Sequence, residues 1–426
     1  MMYFCTMKMK VWIQRLQYLC LLLLAIVIPL NRRLFPPIFA TYVLLCVLEG
    51  DFRNRWRTIR KRGLLPFLIA CAVMYAVYLV ALIWSNNYPF AYRDLLLKSP
   101  LLLFPLCLFA SDSLLFTNRR LFNLAYAFLT GCLLYALYVL YVWVCKVGID
   151  GIWSSFHISG SGWVAHHSYI SMCYLLAIAI VLFILIEKNP PMWVKLLLVL
   201  AAWIFIFQVI VLASRTAWIV SALLLLVSFV YLVIQTFRGR LKPLLLVVFV
   251  LLSLITVFFV RSVPSANNRC LQTFQRVKEA RDLRTADIRW YIWESSLDVI
   301  EEHPIWGVGT GDVRDSLTEK QREAGIPSFN SHNQFLNTWV AVGIFGLLAF
   351  VVLLLMSLWR SFRYKSLLYF VFLLIIIGNC LTESILEKQM GLVFFVYFDS
   401  YLYAFVSVRN EKRGDASETA VLSETA

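Results

Sequence analysis

Long apolar runs constrain the fold of this chain more than any other feature of its sequence. A membrane-spanning helix needs about 20 mainly apolar residues, and such runs recur along the whole chain. Hydrophobic residues make up 61% of the 426 residues and charged residues only 15%, unlike a water-soluble protein. We predict an all-α integral membrane protein with about 12 transmembrane helices. The candidate spans are residues 16–30, 34–49, 64–84, 95–110, 121–144, 168–186, 193–213, 216–236, 243–261, 335–357, 366–383 and 390–408.

The basic residues predict how these helices are oriented, because short loops rich in Lys and Arg stay in the cytoplasm. With the N-terminus inside, the inner segments hold 22 of the 39 basic residues, and the short outer loops hold seven. The densest inner cluster is RNRWRTIRKR at 53–62. Topology therefore explains most of the net charge of +15. Charges scattered in this way do not form the single basic face of a nucleic-acid-binding protein, so no nucleic-acid partner is expected.

The spans and charges together predict four regions. Residues 1–261 carry transmembrane helices 1–9, residues 262–333 form an extracytoplasmic loop domain, residues 334–408 carry helices 10–12, and residues 409–426 form a cytoplasmic tail. The loop domain mixes basic and acidic residues in nearly equal numbers, so its arginines are not a generic cationic coat.

Within the loop domain, TADIRWYIWESSLDVIEEHP predicts a helix that Thr285 caps and Pro304 ends. The glycine-rich stretch IWGVGTGDVRDS follows it. Its glycines resemble a nucleotide-binding fingerprint, but that fingerprint lies between a strand and a helix, whereas these glycines follow a helix. We interpret Gly307, Gly309 and Gly311 as backbone freedom for a re-entrant or tightly folded loop.

Two arginines are candidate anion-binding residues on the outer side. Arg215 lies in a tight turn between the seventh and eighth spans, where it could clamp an anion or simply reach lipid phosphates. Arg289 lies in the first turn of the predicted loop helix, where the helix dipole already favours negative charge. A cation at that position calls for a compensating anion, which is either a ligand or a nearby carboxylate such as Asp287 or Glu294.

His332 lies where a polar loop becomes a transmembrane helix, in SFNSHNQFLNTWVAVGIFGLLAF. A histidine at such a boundary can be a hydrogen-bonded structural residue, or its neutral imidazole can accept a proton from a hydroxyl group. The predicted topology places it on the same side as both arginines. Two arginines suit a diphosphate and a histidine supplies a base, which favours a catalytic role.

Four blocks of the sequence resemble the O-antigen ligase and polymerase superfamily. They are SRTAW, DIRWYIWESSLDVIEEHPIWGVGTGD, SHNQFLNTWVAVGIFGLLAF, and HHSYISMCYLLAIAIVLF at 166–183. The resemblance implies a multi-span enzyme of the bacterial inner membrane with a large periplasmic loop, similar to type C glycosyltransferases. It also implies transfer of a glycan from undecaprenyl diphosphate to an acceptor, with neither a metal ion nor another cofactor.

The resemblance assigns a role to each candidate residue. Arg215 and Arg289 would bind the diphosphate, and His332 would be the catalytic base for the acceptor hydroxyl. Supporting candidates are Arg93 and Lys98, which could bind phosphate or reach the membrane surface, and His167, which could line the cavity.

The predicted function is ligation of O-antigen, or a similar glycan, to lipid A–core, with inversion at the anomeric carbon. The expected partners are the undecaprenyl-diphosphate-linked glycan, the lipid A–core acceptor and membrane lipids. A polymerase of the same superfamily and a protein O-oligosaccharyltransferase are the alternatives. A flippase for lipid-linked glycans is disfavoured, because transporters place charge near the bilayer midplane and contain repeats.

Overall fold

The computed structural model describes most of the chain outside one central region. The described residues are 2–30, 33–111, 113–151, 167–212 and 287–424, together with a few isolated positions between 213 and 286. All regular secondary structure in these residues is helical. The α-helices, in chain order, are α1 (Met2–Leu30), α2 (Phe35–Glu49), α3 (Phe52–Lys61), α4 (Leu65–Val80), α5 (Tyr88–Lys98), α6 (Pro100–Phe109), α7 (Asn118–Gly151), α8 (His167–Lys188), α9 (Met192–Val211), α10 (Arg289–Glu302), α11 (Val313–Glu323), α12 (Gln334–Arg363), α13 (Leu367–Cys380) and α14 (Gln389–Glu424).

Seven of the described helices are long and apolar enough to cross a membrane, or eight if the bent pair α2–α3 counts as one span. They confirm an all-α integral membrane protein. The predicted spans 95–110 and 366–383 contain the shorter helices α6 and α13. The predicted spans 216–236 and 243–261 lie outside the described residues.

The chain forms two compact units. Unit 1 comprises residues Met1–Gly131, Tyr291–Leu373 and Cys380–Ala426, and unit 2 comprises Cys132–Trp290 and Leu374–Asn379. In unit 2, α8 packs against α9, and the ring of Tyr174 stacks on that of Phe205 with centroids 5.5 Å apart.

The apolar stretch of α14 is the centre of unit 1. It is completely buried against the neighbouring helices, mainly α6, α12 and α1. Aromatic rings fill the contacts, as where Phe398 meets Phe128 edge-on at 4.8 Å and Tyr397 meets Phe104 at 5.4 Å. Close aromatic packing of this kind supplies the van der Waals contacts that hold helices together in lipid.

Helix α12 is broken in its third turn, and this break shapes the end of unit 1 that carries His332. Val342 and Gly343 have non-helical backbone angles, with φ of +69° at Gly343. The chain after α10 enters the break: Val308 N–H donates to Val340 O at 2.9 Å, and Gly309 N–H donates to Ala341 O at 3.0 Å. The backbone groups that α12 loses at its break are therefore paired by another segment.

The glycines of this inserted loop permit its close approach. A Cβ on Gly307 would lie 2.6 Å from the Gly343 amide nitrogen, and a Cβ on Gly309 would lie 2.6 Å from Ser85 Oγ. Both residues also have positive φ, at +69° and +100°. The predicted tightly folded loop is confirmed.

Candidate active site

The segment before α12 is held by side chains that bond its backbone. Asn333 caps the helix, its Oδ1 accepting from the backbone N–H groups of Phe335 at 2.9 Å and Leu336 at 3.2 Å. Gln321 Oε1 accepts from Phe329 N–H at 2.7 Å, which ties the preceding loop to α11. These bonds set the backbone on both sides of His332.

His332 itself has a left-handed backbone with φ of +42°. This region is uncommon for residues other than glycine, although histidine adopts it more readily than most. The backbone N–H of His332 donates to Asn330 Oδ1 at 3.2 Å, which stabilises the turn. Backbone strain of this kind persists only where the surrounding structure holds it, and it occurs often at active sites. The left-handed backbone of His332 therefore supports a functional role.

Glu383 orients the imidazole of His332. Its Oε2 lies 3.1 Å from Nδ1, and the side chain of Glu383 is 4% exposed whereas that of His332 is 24% exposed. An ionised carboxylate only accepts hydrogen bonds, so Nδ1 carries the proton in the neutral ring. The Nε2 atom then keeps its lone pair, on an imidazole that remains partly open to solvent. This arrangement suits a general base.

Glu383 belongs to the segment 381–388 between α13 and α14, here called the carboxylate loop. Its second acidic residue, Glu387, accepts from Lys98 Nζ at 2.9 Å. Lys98 also donates to both carboxylate oxygens of Asp94, at 2.6 and 2.7 Å, and its ammonium lies 4.6 Å from the ring centroid of Tyr78. A buried ion pair of this kind holds its partners in a defined geometry.

A glutamine fixes the carboxylate loop from the side of α12. Gln334 Oε1 accepts from the backbone N–H of Leu386 at 2.7 Å, and Gln334 Nε2 donates to Thr338 Oγ1 at 3.0 Å. The side chain of Asn333 adds a longer bond to Leu381 O at 3.4 Å. The loop that carries Glu383 is therefore attached to α5 through Lys98 and to α12 through Gln334.

Asp94 and Glu387 share the single ammonium of Lys98, and the pKa of Asp94 is shifted in this cluster. Burial raises the pKa of Asp94 to about 6, opposed by the charge of Lys98 and reinforced by that of Glu387. The cluster thus gains a proton more readily than exposed carboxylates do. Asp94 lies on α5, outside the helices that are long enough to span the membrane.

Lys98 was predicted as a possible phosphate-binding residue, and its surroundings give it another role. It is completely buried, and its ammonium has three short bonds to the oxygens of Asp94 and Glu387. An ammonium has three donors, so none remains for a lipid phosphate. The sequence alone could not reveal this, because Glu387 lies 289 residues away along the chain.

Arg289 is the first residue of α10, as predicted, and its side chain is partly exposed. The Oδ1 of Asp287 accepts from its backbone N–H at 3.1 Å, so an aspartate caps this helix. Thr285, the predicted cap, and Arg215 lie outside the described residues. Arg289 belongs to unit 2, and His332 belongs to unit 1.

The two remaining candidates lie in different units. Arg93 is exposed on α5 in unit 1, beside the exposed side chains of Tyr92 and Leu96. His167 is the first residue of α8 in unit 2 and is partly exposed. Unit 1 therefore brings His332 and Lys98 to the same carboxylate loop, whereas Arg289 and His167 belong to the other unit.

Sequence reasoning missed Glu383. A signal was present, because TESILEKQ places Glu383 at the end of the predicted span 366–383 and Glu387 in the short loop that follows it, which the predicted topology puts on the outer side. Acidic residues between two apolar spans are costly to place near a membrane and often have a specific partner. The identity of that partner, 51 residues earlier in the chain, was not predictable from spacing.

One comparison with known proteins identifies a related family. Residues 200–351 match the family model described as O-antigen ligase, which confirms the predicted resemblance. The matched segment includes Arg215, Arg289 and His332 and supports a glycosyltransferase-like function of the ligase or polymerase kind. No curated protein matches the chain.

Proposed function

We propose that this protein, whose residues 200–351 match the O-antigen ligase family, transfers a glycan from undecaprenyl diphosphate to an acceptor hydroxyl. The acceptor we propose is the lipid A–core of lipopolysaccharide. The observation that carries the proposal is the bond between His332 Nδ1 and Glu383 Oε2 at 3.1 Å, which leaves Nε2 of a partly exposed imidazole as the basic nitrogen. Attack by a sugar hydroxyl calls for such a base.

In the proposed reaction His332 Nε2 accepts the proton of the acceptor hydroxyl. The hydroxyl oxygen forms a bond to the anomeric carbon of the donor while the bond from that carbon to the diphosphate oxygen breaks. The electron pair leaves with undecaprenyl diphosphate. Direct displacement inverts the anomeric configuration, and Glu383 stabilises the imidazolium that forms.

The negative charge that develops on the leaving diphosphate is assigned to arginines. Arg215 and Arg289 can each present a planar fork of donors to phosphate oxygens, which stabilises the charge as the bond breaks. Because these side chains supply the positive charge, the proposed reaction uses no metal ion and no other cofactor. Arg93, which is exposed on α5, remains a candidate for a further phosphate contact, and His167 remains a candidate lining residue.

The proposed location of the site is the periplasmic face of the bacterial inner membrane. The bias of basic residues, 22 in the inner segments and seven in the short outer loops, supports this orientation. Reporter fusions at Gly325 and Ala426 test it. We expect a periplasmic phosphatase to be active only at Gly325, and activity at Ala426 would contradict the topology.

Two other functions use the same chemistry with a different acceptor. A polymerase would join repeat units to one another, and a protein O-oligosaccharyltransferase would glycosylate Ser or Thr. The lipopolysaccharide of a deletion strain distinguishes a polymerase from a ligase. Bare core with polymer left on the lipid carrier means ligase, whereas core carrying one repeat means polymerase. Unchanged lipopolysaccharide with loss of a glycoprotein means that the acceptor is a protein.

The role of His332 is tested by single-turnover transfer from purified lipid-linked glycan, alongside donor binding. His332→Ala should abolish transfer and leave donor binding largely intact, because the diphosphate contacts survive. His332→Gln keeps hydrogen bonding but cannot take up a proton at neutral pH. If His332→Gln transfers at nearly the wild-type rate, His332 only positions the acceptor, and the general-base role is withdrawn.

A further inference from the structure

The basic helix α3 lies at the opposite end of unit 1 from His332. Arg360, near the C-terminal end of α12, donates from Nη2 to Gly63 O just after α3, at 3.4 Å. His332 precedes the N-terminal end of the same helix. After its break at Val342 and Gly343, α12 continues without interruption over residues 344–363, which at 1.5 Å per residue correspond to roughly 30 Å, about the thickness of the hydrocarbon core of a bilayer.

Helix α3 turns sharply away from α2. The two helices are bent by 106° at a short break, where Gly50 and Asp51 have φ of +66° and +56°. Asp51 is fixed by Asn54 Nδ2 at 2.7 Å and Lys10 Nζ at 3.5 Å, and the bond from Asn54 lowers its pKa. Helices α2 and α4 are apolar and α3 carries five basic residues, a pattern typical of a helix that lies along a membrane surface.

Two of the basic residues attach α3 to the ends of neighbouring helices. Arg55 donates to Cys46 O and, at 3.3 Å, to Ala110 O, and it pairs with Glu49 at 3.4 Å. Arg62, just after α3, donates to Ser111 O at 2.7 Å. Both cations satisfy carbonyl groups at helix C-termini, where positive charge is favourable. The side chains of Arg55 and Arg62 therefore hold α3 against the neighbouring helices.

The opposite side of α3 carries two parallel stripes at helical spacing. Arg53 and Arg57 form a basic stripe, both exposed, and neither forms an ion pair within the described part of the chain. Phe52 and Trp56 form an aromatic stripe, 63% and 40% exposed. Like charges four residues apart destabilise a helix, and α3 contains no acidic residue to offset them. An anion bound from outside the protein would offset this repulsion.

We propose that Arg53 and Arg57 bind the headgroup phosphates of anionic phospholipids, such as phosphatidylglycerol, in the leaflet on this side. The stripes favour a lipid over a soluble anion, because Phe52 and Trp56 beside the arginines suit the boundary between headgroups and acyl chains. Basic residues next to an anionic leaflet each strengthen such binding. The site holds α3 on the membrane and is separate from the proposed catalytic site.

Native mass spectrometry of the full-length protein, titrated with phosphatidylglycerol or phosphatidylcholine, tests the proposal. We expect phosphatidylglycerol to bind more tightly to the wild type, and Arg53→Gln/Arg57→Gln to weaken it by roughly tenfold or more. Arg53→Lys/Arg57→Lys keeps the charge and should retain most of the binding. The matched control is Arg314→Gln/Arg322→Gln, which removes two exposed arginines from α11 and should leave the binding unchanged.

Three results would overturn the proposal. Equal losses in both Gln pairs would mean that the lipid responds to net charge alone. No loss in Arg53→Gln/Arg57→Gln, with thermal unfolding unchanged, would mean that α3 does not bind the lipid. If millimolar inorganic phosphate displaced phosphatidylglycerol from the wild type and bound equally well, the ligand would be a soluble anion instead of a lipid.

Discussion

Lys98 on α5 lies 2.9 Å from Glu387 in the carboxylate loop, although 289 residues separate them in the chain. This bond and the bonds from Lys98 to Asp94 connect an early helix to the loop that orients His332. The geometry of the proposed base therefore depends on Lys98, whose hydrogen bonds go to Asp94 and Glu387.

Lys98→Met should destabilise the protein strongly, because it leaves the carboxylates of Asp94 and Glu387 in a buried site without their cation. Removing one partner of a buried ion pair costs about 3–5 kcal/mol. The combined variant Asp94→Asn/Lys98→Met/Glu387→Gln has no such charges and should recover most of the lost stability. Thermal unfolding in detergent measures both. A Lys98→Met protein as stable as the wild type would show that the ion cluster does not hold the loop.

Glu383→Gln should slow transfer by about two to four orders of magnitude while donor binding is retained. The amide of Gln can donate to Nδ1, which would place the proton on Nε2 and remove the basic nitrogen. The matched control is Glu302→Gln on α10, which removes an exposed carboxylate bound by Lys320 at 2.6 Å. It should transfer at the wild-type rate. Single-turnover assays across pH compare the two, and equal rates would refute the orienting role.

Arg215→Lys and Arg289→Lys should each reduce transfer steeply in protein that still inserts in the membrane. Lysine keeps the charge but loses the planar fork that binds phosphate through two hydrogen bonds. Arg322→Lys, on the exposed side of α11, is the control and should be active. Near-normal transfer by both Lys variants would mean that these arginines only reach the membrane surface.

The stability of the wild type should rise when the pH falls from 7.5 to 5. Burial raises the pKa of Asp94 to about 6 in the folded protein, above the value of about 4 for an unfolded chain. A raised carboxyl pKa contributes stability at low pH that is lost as the pH rises through about 6. Asp94→Asn should remove this part of the dependence, about 1 kcal/mol between pH 7.5 and 5. Identical thermal unfolding profiles against pH for both proteins would contradict the shift.

Gly343→Ala should be severely destabilising, whereas Gly325→Ala should cost about 1 kcal/mol. Both glycines have positive φ, at +69° and +70°, and Gly343 also has ψ of −167°, a region essentially restricted to glycine. A Cβ on Gly343 would lie 2.0 Å from Ile305 O, and a Cβ on Gly325 has nothing within 4 Å. Gly343→Ala therefore adds a clash and a glycine-only backbone conformation to the cost of positive φ, which Gly325→Ala measures alone. Equal thermal shifts in the two variants would mean that the inserted loop moves aside.

The parts of the fold that depend on local composition were predictable. Apolar runs predicted the membrane helices, and helical spacing before Pro304 predicted α10, because both signals lie within neighbouring residues. The glycines of 307–311 predicted a tight loop for the same reason. The break in α12 was not predicted, since its apolar run is continuous and only the contact with the loop reveals it.

Site residues were predictable from the sequence where the residue and its neighbours in the chain indicate a function. Contacts between residues far apart in the chain were not predictable. His332 was identifiable because a polar loop with a histidine meets an apolar helix. Its link to Glu383, and the burial of Lys98, depend on contacts between segments that are far apart in sequence. Lys98 next to an apolar run suggested a residue at the membrane surface, but carboxylates from two other positions surround it instead.

The docking of residues 304–309 into the break of α12 has a consequence for biogenesis. Val340 O and Ala341 O receive their hydrogen bonds from Val308 and Gly309, which are synthesised first. Carbonyl groups without partners are costly in hydrocarbon, so the bent form of α12 is stable only when the preceding segment already lies beside it. We expect α12 to leave the translocon as a straight helix and to bend only on meeting that segment. Placement of the loop and bending of α12 are thereby coupled steps of one assembly process.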